Sequence, residues 1–111
     1  KLDAIIKRTQ NGGGEIVSLL GTSAWYAPGA SAAQMVEAII RNQNRIFPCC
    51  VKLDGQYGYK NVFVGVPVKV GKNGVEQIIE IELNAEEKAS FDNSVSAVKT
   101  LMDVLDNMKL F

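Results

Sequence analysis

Histidine is missing altogether, and several other residue types are scarce. The 111 residues hold two cysteines, three prolines and one tryptophan, and 12 Lys+Arg are cancelled by 12 Asp+Glu. Without histidine, a self-contained enzyme using imidazole as proton carrier or metal ligand is excluded. Zero net charge removes the basic surplus on which phosphate binding depends, so no nucleic-acid partner is expected. No apolar run approaches the ~20 residues a membrane span needs, and no N-terminal stretch has the build of a signal peptide. No membrane partner is expected either. The two cysteines, Cys49 and Cys50, are neighbours in IFPCCVKL. Adjacent cysteines do not close an ordinary disulfide, and their spacing is not that of a zinc site, so no metal is expected. They read as two small buried hydrophobes in a reduced compartment, which points to a cytoplasmic location.

What is present is ordinary for a globular domain: 47% hydrophobic and 22% charged residues. Disorder, collagen-like repetition and a disulfide-stapled mini-protein are excluded. A chain of this length is expected to form one domain burying roughly 65% of its unfolded surface. The sequence opens on Lys1 rather than Met, in what reads as the middle of a helix.

Residues 1–20 read as helix broken at Gly12–Gly14, with Glu15–Leu20 starting a new segment. After the small-residue connection GTSAWYAPGA, a long helix is expected over Ser31–Asn42. Its start is marked by the Ser31/Gln34 capping pair and its buried stripe by Met35, Val36, Ile39 and Ile40. Strands are expected at Ile46–Leu53, Val62–Val70 and Val75–Leu83. Asp54-Gly55 and Gly71-Lys72-Asn73-Gly74 supply the turns, and Pro67 marks a bulge or an edge. Glu76, Glu80 and Glu82 alternate with Val75, Ile79, Ile81 and Leu83, which suggests one wet face and one buried face. Asn84 with Glu87 caps a final amphipathic helix reaching about Met108, striped by Phe91, Val95, Val98, Met102 and Leu105. The fold class is α+β: an antiparallel three-stranded sheet packed with long helices.

Chemistry is thinly signalled. The triple glycine follows a helical stripe rather than a strand, and Glu15 would repel a phosphate, so a structural bend is favoured over a phosphate loop. Glu76, Glu80 and Glu82 read as a solvated strand face, and Glu86 and Glu87 favour a helix N-terminus. The pairs Trp25/Tyr26 and Tyr57/Tyr59 read as core aromatics. The exception is GTSAWYAPGASA. It offers the hydroxyls of Thr22 and Ser23, the small wall of Ala24 and the rigid turn of Pro28 just before a helix, and it could line a pocket.

At these residues the chain resembles a known family. GGGEIVSLLGTSAWYAPGASAAQMVEAI, followed by IFPCCVKLDGQYGYKNVFVGVPVKVGKNGVEQIIEIELNAEEKASF, is similar to the C-terminal part of the lactate/malate dehydrogenase family. Several long matches in fixed order carry the likeness over nearly the whole chain. The SAWYAP loop is most similar to the lactate-dehydrogenase-like malate dehydrogenases. Lactate dehydrogenases usually have Thr where this chain has Ala24, and Ala24 leaves room for the extra carboxylate of oxaloacetate.

The resemblance implies that residues 1–111 form one partial C-terminal substrate domain, with the Rossmann NAD domain absent. It implies NAD as cofactor of the parent enzyme and malate/oxaloacetate as small-molecule substrate, interconverted by hydride transfer in the tricarboxylic acid cycle. It further implies a homo-oligomer, dimer or tetramer. Ser23 and Ala24 are the expected substrate-binding residues and Pro28 the expected cofactor-binding residue. No catalytic residue is expected here, because the family's His–Asp pair and arginine clamp have no match; Arg8, Arg41 and Arg45 fall in other motifs. The chain alone is therefore expected to be inactive, and its uncovered apolar surface to promote self-association. Two alternatives stand beside this: a lactate dehydrogenase fragment, and a non-catalytic oligomerisation or interaction domain built on its long helices.

Overall fold

The structure, a computed structural model, describes residues 1–23 and 25–108. They form two compact units, Lys1–Glu37 and the residues from Ala38 onward.

The first unit is helical. α1 (Leu2–Gln10) and α2 (Gly12–Leu20) are separated by Asn11, and α3 (Tyr26–Ile40) begins after a short connection. A break in this region is expected from the sequence, but the glycines lie inside the first turn of α2 rather than in the gap. Asn11 makes the break: its side-chain amide donates to Lys7 O at 2.8 Å and closes off α1. α3 starts five residues before the Ser31 capping pair that the sequence suggests. Pro28 falls in its first turn, where a missing N–H costs no hydrogen bond. Ser31 is then inside the helix, and its hydroxyl donates to Ala27 O at 3.0 Å instead of capping. No residue of α1 or α2 is buried.

The second unit is an antiparallel meander, β1 (Arg45–Asp54), β2 (Lys60–Gly71) and β3 (Gly74–Ile78), in the order β1-β2-β3, followed by α4 (Ala85–Met108). Alternation places Val62, Val64, Val66, Val68 and Val70 of β2 on one face. Val51 and Leu53 of β1 join them in the core. Ala38 and Val95 complete it, with Phe91, Val98 and Met102 half-buried against it. Leu105, expected on the same stripe, is exposed; the α4 residues packed against the core end at Met102. The capping box of α4 is present in both directions: Glu87 N–H donates to Asn84 Oδ1 and Asn84 N–H to Glu87 Oε2, each at 2.9 Å.

Three expectations are corrected here. Pro67 lies in the central strand opposite Pro48, neither at a sheet edge nor in a bulge; the β2–β3 register shift comes at Lys69/Val70. Pro67 does set the length of β3. Its carbonyl accepts from Ile79 N–H at 2.9 Å, but it has no N–H to return, and β3 ends at Ile78 rather than Leu83. Cys49 is half-buried while Cys50 is exposed. Adjacent strand residues point to opposite faces, so the two thiols cannot both be core.

The sheet's loops are held by side chains. The Tyr57 hydroxyl donates to Ile79 O at 2.8 Å and accepts from Ile81 N–H at 3.1 Å, so it satisfies the backbone that β3 no longer pairs. The Tyr57 ring lies 5.0 Å from Phe91, and the Tyr59 ring 6.0 Å from it. This pair is core-packed as expected. Trp25 and Tyr26, also expected as core, are 64% and 88% exposed.

Candidate functional site

The connection from α2 to α3 is built from two helix ends. α2 ends on Gly21 in the left-handed conformation (φ +69), with Gly21 N–H donating to Val17 O at 2.9 Å. Trp25 N–H then donates to Ser23 O at 3.1 Å, and Gly29 N–H to Trp25 O at 2.9 Å starts α3. This folding brings Ser23 and Pro28 onto the rim of one open cleft of about 480 Å³.

The remaining walls come from both helices. α2 contributes Gly13, Ile16 and Val17, at the i, i+3, i+4 spacing of one helical face, and α3 contributes Ala27 and Ser31. The Ser31 hydroxyl spends its proton on Ala27 O, so toward the cleft it can only accept. Among the described residues, none that lines the cleft is charged. Such a surface can seat a flat uncharged ring or the apolar side of a small acid, but it cannot itself pair a carboxylate.

Of the expected site residues, Ser23 and Pro28 are thus brought together; Ala24 lies outside the described residues. The walls from Gly13, Ile16, Val17, Ala27 and Ser31 are absent from the sequence reading. The helical spacing of Gly13, Ile16 and Val17 is visible in the chain, but which element that face meets is not.

The nearby arginine is engaged elsewhere. Arg8 grips Glu15 with two bonds, Nη2 to Oε1 at 2.8 Å and Nε to Oε2 at 3.1 Å. The pair raises the Arg8 pKa and lowers that of Glu15, each mainly through the shared hydrogen bonds. It also neutralises Glu15, so the weight against a phosphate loop rests on the helices flanking Gly12–Gly14. A second cluster, on α4, has Asp92 accepting from Lys88 and, at 2.5 Å, from the Tyr59 hydroxyl. Lys88 and Lys99 lie over the Tyr59 ring at 5.2 and 5.3 Å.

Comparison with known proteins bears on what this cleft belongs to. The malate dehydrogenase of Salinibacter ruber superposes with a TM-score of 0.92 at 50% identity, covering 96% of this chain and 35% of that one. That of Cryptosporidium parvum gives 0.88 at 44% identity, with 95% and 34% covered. Among curated sequences, the malate dehydrogenase of Cytophaga hutchinsonii is 60% identical over 108 residues, 97% of this chain and 35% of its own length. The profile of the lactate/malate dehydrogenase α/β C-terminal domain matches residues 1–109. The chain belongs to the lactate/malate dehydrogenase family.

As a lactate/malate dehydrogenase C-terminal domain, it spans about a third of the length of the relatives it matches. The family's α/β domain accounts for the three-stranded meander and its helices. Among the described residues, no helix is long and apolar enough to cross a membrane.

Proposed function

We propose that this domain is the substrate half of an NAD-dependent malate dehydrogenase, an oxidoreductase of the tricarboxylic acid cycle interconverting malate and oxaloacetate. The observation that carries the reading is the shared cleft of Ser23 and Pro28, in a chain 60% identical to a protein named malate dehydrogenase. Residues 1–111 act as one substrate domain, and the Rossmann half that binds most of the dinucleotide is supplied outside them. The working enzyme is a cytoplasmic homo-oligomer.

NAD, when bound, supplies the hydride acceptor. The residues here fit its nicotinamide end only: the cleft is uncharged and small-walled, and the glycines of α2 are flanked by helices rather than following a strand. Pro28 presents a flat apolar wall that keeps water from the ring, and the Ser23 hydroxyl is a donor for a substrate oxygen. At position 24 the chain has alanine where lactate dehydrogenases usually have threonine, and the smaller side chain suits a substrate with a second carboxylate. With no histidine in the chain, the proton carrier comes from outside these residues, and the domain alone turns over nothing.

The test grafts the chain in place of the corresponding C-terminal third of the Cytophaga hutchinsonii malate dehydrogenase. Pro28→Ala should raise KM for NADH about fivefold, the loss of partly buried ring methylenes, with kcat little changed. A KM for NADH unmoved by this change removes Pro28 from the cofactor site.

A further inference from the structure

The β2–β3 turn holds an arrangement that the proposed function does not use. Gly71 pairs with Gly74, so Lys72 and Asn73 form the two-residue tip, and Gly74 takes φ +88, which a side chain would resist. Val70 pairs with Val75 and Lys69 with Gln77, which leaves Glu76 as the extra residue of a bulge. Freed from the ladder, the Glu76 side chain folds back over the turn. Its carboxylate accepts from Asn73 N–H at 3.0 Å and from Asn73 Nδ2 at 3.1 and 3.3 Å.

Asn73 is exposed and is followed by glycine. That sequence is chemically labile, because a glycine nitrogen is the least hindered backbone nucleophile. We propose that Asn73–Gly74 is a deamidation site held in check by Glu76. In the reaction the Gly74 amide nitrogen, having lost its proton to solvent base, attacks Asn73 Cγ. A C–N bond forms, and the Cγ–Nδ2 bond breaks as Nδ2 takes one proton from water and leaves as ammonia. Water then opens the resulting imide at either carbonyl, giving aspartate or isoaspartate.

Glu76 opposes this in two ways. Its bonds to Nδ2 must break before Cγ can swing onto the Gly74 nitrogen, and its negative charge disfavours the amide anion that must form there. The hydrogen bonds from Asn73 also hold the Glu76 carboxyl below its usual range, so the latch opens by protonation only in acid. Once formed, the new carboxylate has no proton to donate and meets Glu76 as a like charge. The two Nδ2 bonds then cannot re-form and only the backbone N–H of residue 73 is left to Glu76, so the modification weakens the latch one way. Lys72 N–H is bonded to Asn42 Oδ1 at 3.0 Å, so the loop after α3 would be loosened with it.

The experiment ages the 111-residue chain at mildly alkaline pH and follows amide-to-acid conversion by peptide mass mapping. Asn11–Gly12, far from Glu76 in sequence and bonded to Lys7 O, is the internal reference. Asn73 should convert about fivefold faster in Glu76→Ala than in the unmodified chain, one net hydrogen bond's worth, with Asn11 unchanged. Glu76→Gln, which keeps an acceptor but loses the charge, should fall between them. A second arm needs no variant: the unmodified chain in urea should convert Asn73 at least about fivefold faster than the folded chain. Equal rates at Asn73 folded and unfolded overturn the proposal. So does acceleration at Asn11 matching that at Asn73 in Glu76→Gln.

Discussion

Single side chains decide several features of this domain. Gly71 is buried, and a Cβ there would sit 2.9 Å from Asn44 Oδ1, 3.0 Å from Asn42 Oδ1 and 3.0 Å from Glu76 Cγ. Gly71→Ala should therefore lower stability by about 1–3 kcal/mol, read as a drop in the urea midpoint, because three neighbours from two segments must move. Tyr57→Phe leaves the ring packed on Phe91 but orphans Ile79 O and Ile81 N–H. A loss of about 1–2 kcal/mol in the same measurement is expected. At the proposed site, Ala24→Thr in the grafted enzyme should lower kcat/KM for oxaloacetate by about tenfold, the effect of crowding the volume meant for the second carboxylate.

At the scale of elements, α4 carries the clearest prediction about pH. Asp92 is held below the usual carboxylate range by its bond from Lys88 and, next, by that from Tyr59. The Asp92 carboxylate in turn raises Lys88 and the Tyr59 phenol. The Asp92 contribution is present above its unfolded pKa and is lost as pH falls through the lower folded value. The Lys88 and Tyr59 contributions are present below their unfolded values and are lost as pH rises through the raised ones. The melting-temperature gap between the unmodified chain and Asp92→Asn should thus be widest from about pH 5 to about pH 10 and close on both sides. A gap that persists in acid would mean the cluster is not what holds α4 there. Elements were legible in the sequence where their signals are local. The Asn84/Glu87 box and the four- and three-residue steps from Phe91 to Met102 read correctly as α4. The start of α3 did not, because Ser31 and Gln34 mimic a cap while Pro28 is equally at home in a first helical turn. The end of β3 depends on Pro67 one strand away and on the Tyr57 hydroxyl, neither of which is in the local pattern of Val75–Leu83. At the cleft, the SAWYAP loop points to Ser23 and Pro28 as pocket-lining residues, and both line it, their roles toward substrate and cofactor being the proposal. The α2 wall was not, because it depends on where that helix turns back.

For the whole molecule, the main fact is how much apolar surface stays uncovered. Leu2 and Leu19 are 69% and 78% exposed, Ile46 and Phe63 lie open on the outer face of the sheet, and no residue of α1 or α2 is fully buried. A chain spanning about a third of its relatives' length should therefore self-associate when isolated, and a sharply monomeric profile in light scattering would count against this. The same surface should be covered when the chain is grafted onto the rest of a relative. Initial rates of NADH oxidation by that graft, with oxaloacetate and pyruvate side by side, bear on the proposed function without intermediates. Oxaloacetate should be favoured by at least about a hundredfold in kcat/KM. A folded graft that reduces pyruvate as well as oxaloacetate, or reduces neither, would contradict the assignment of this domain to a malate dehydrogenase.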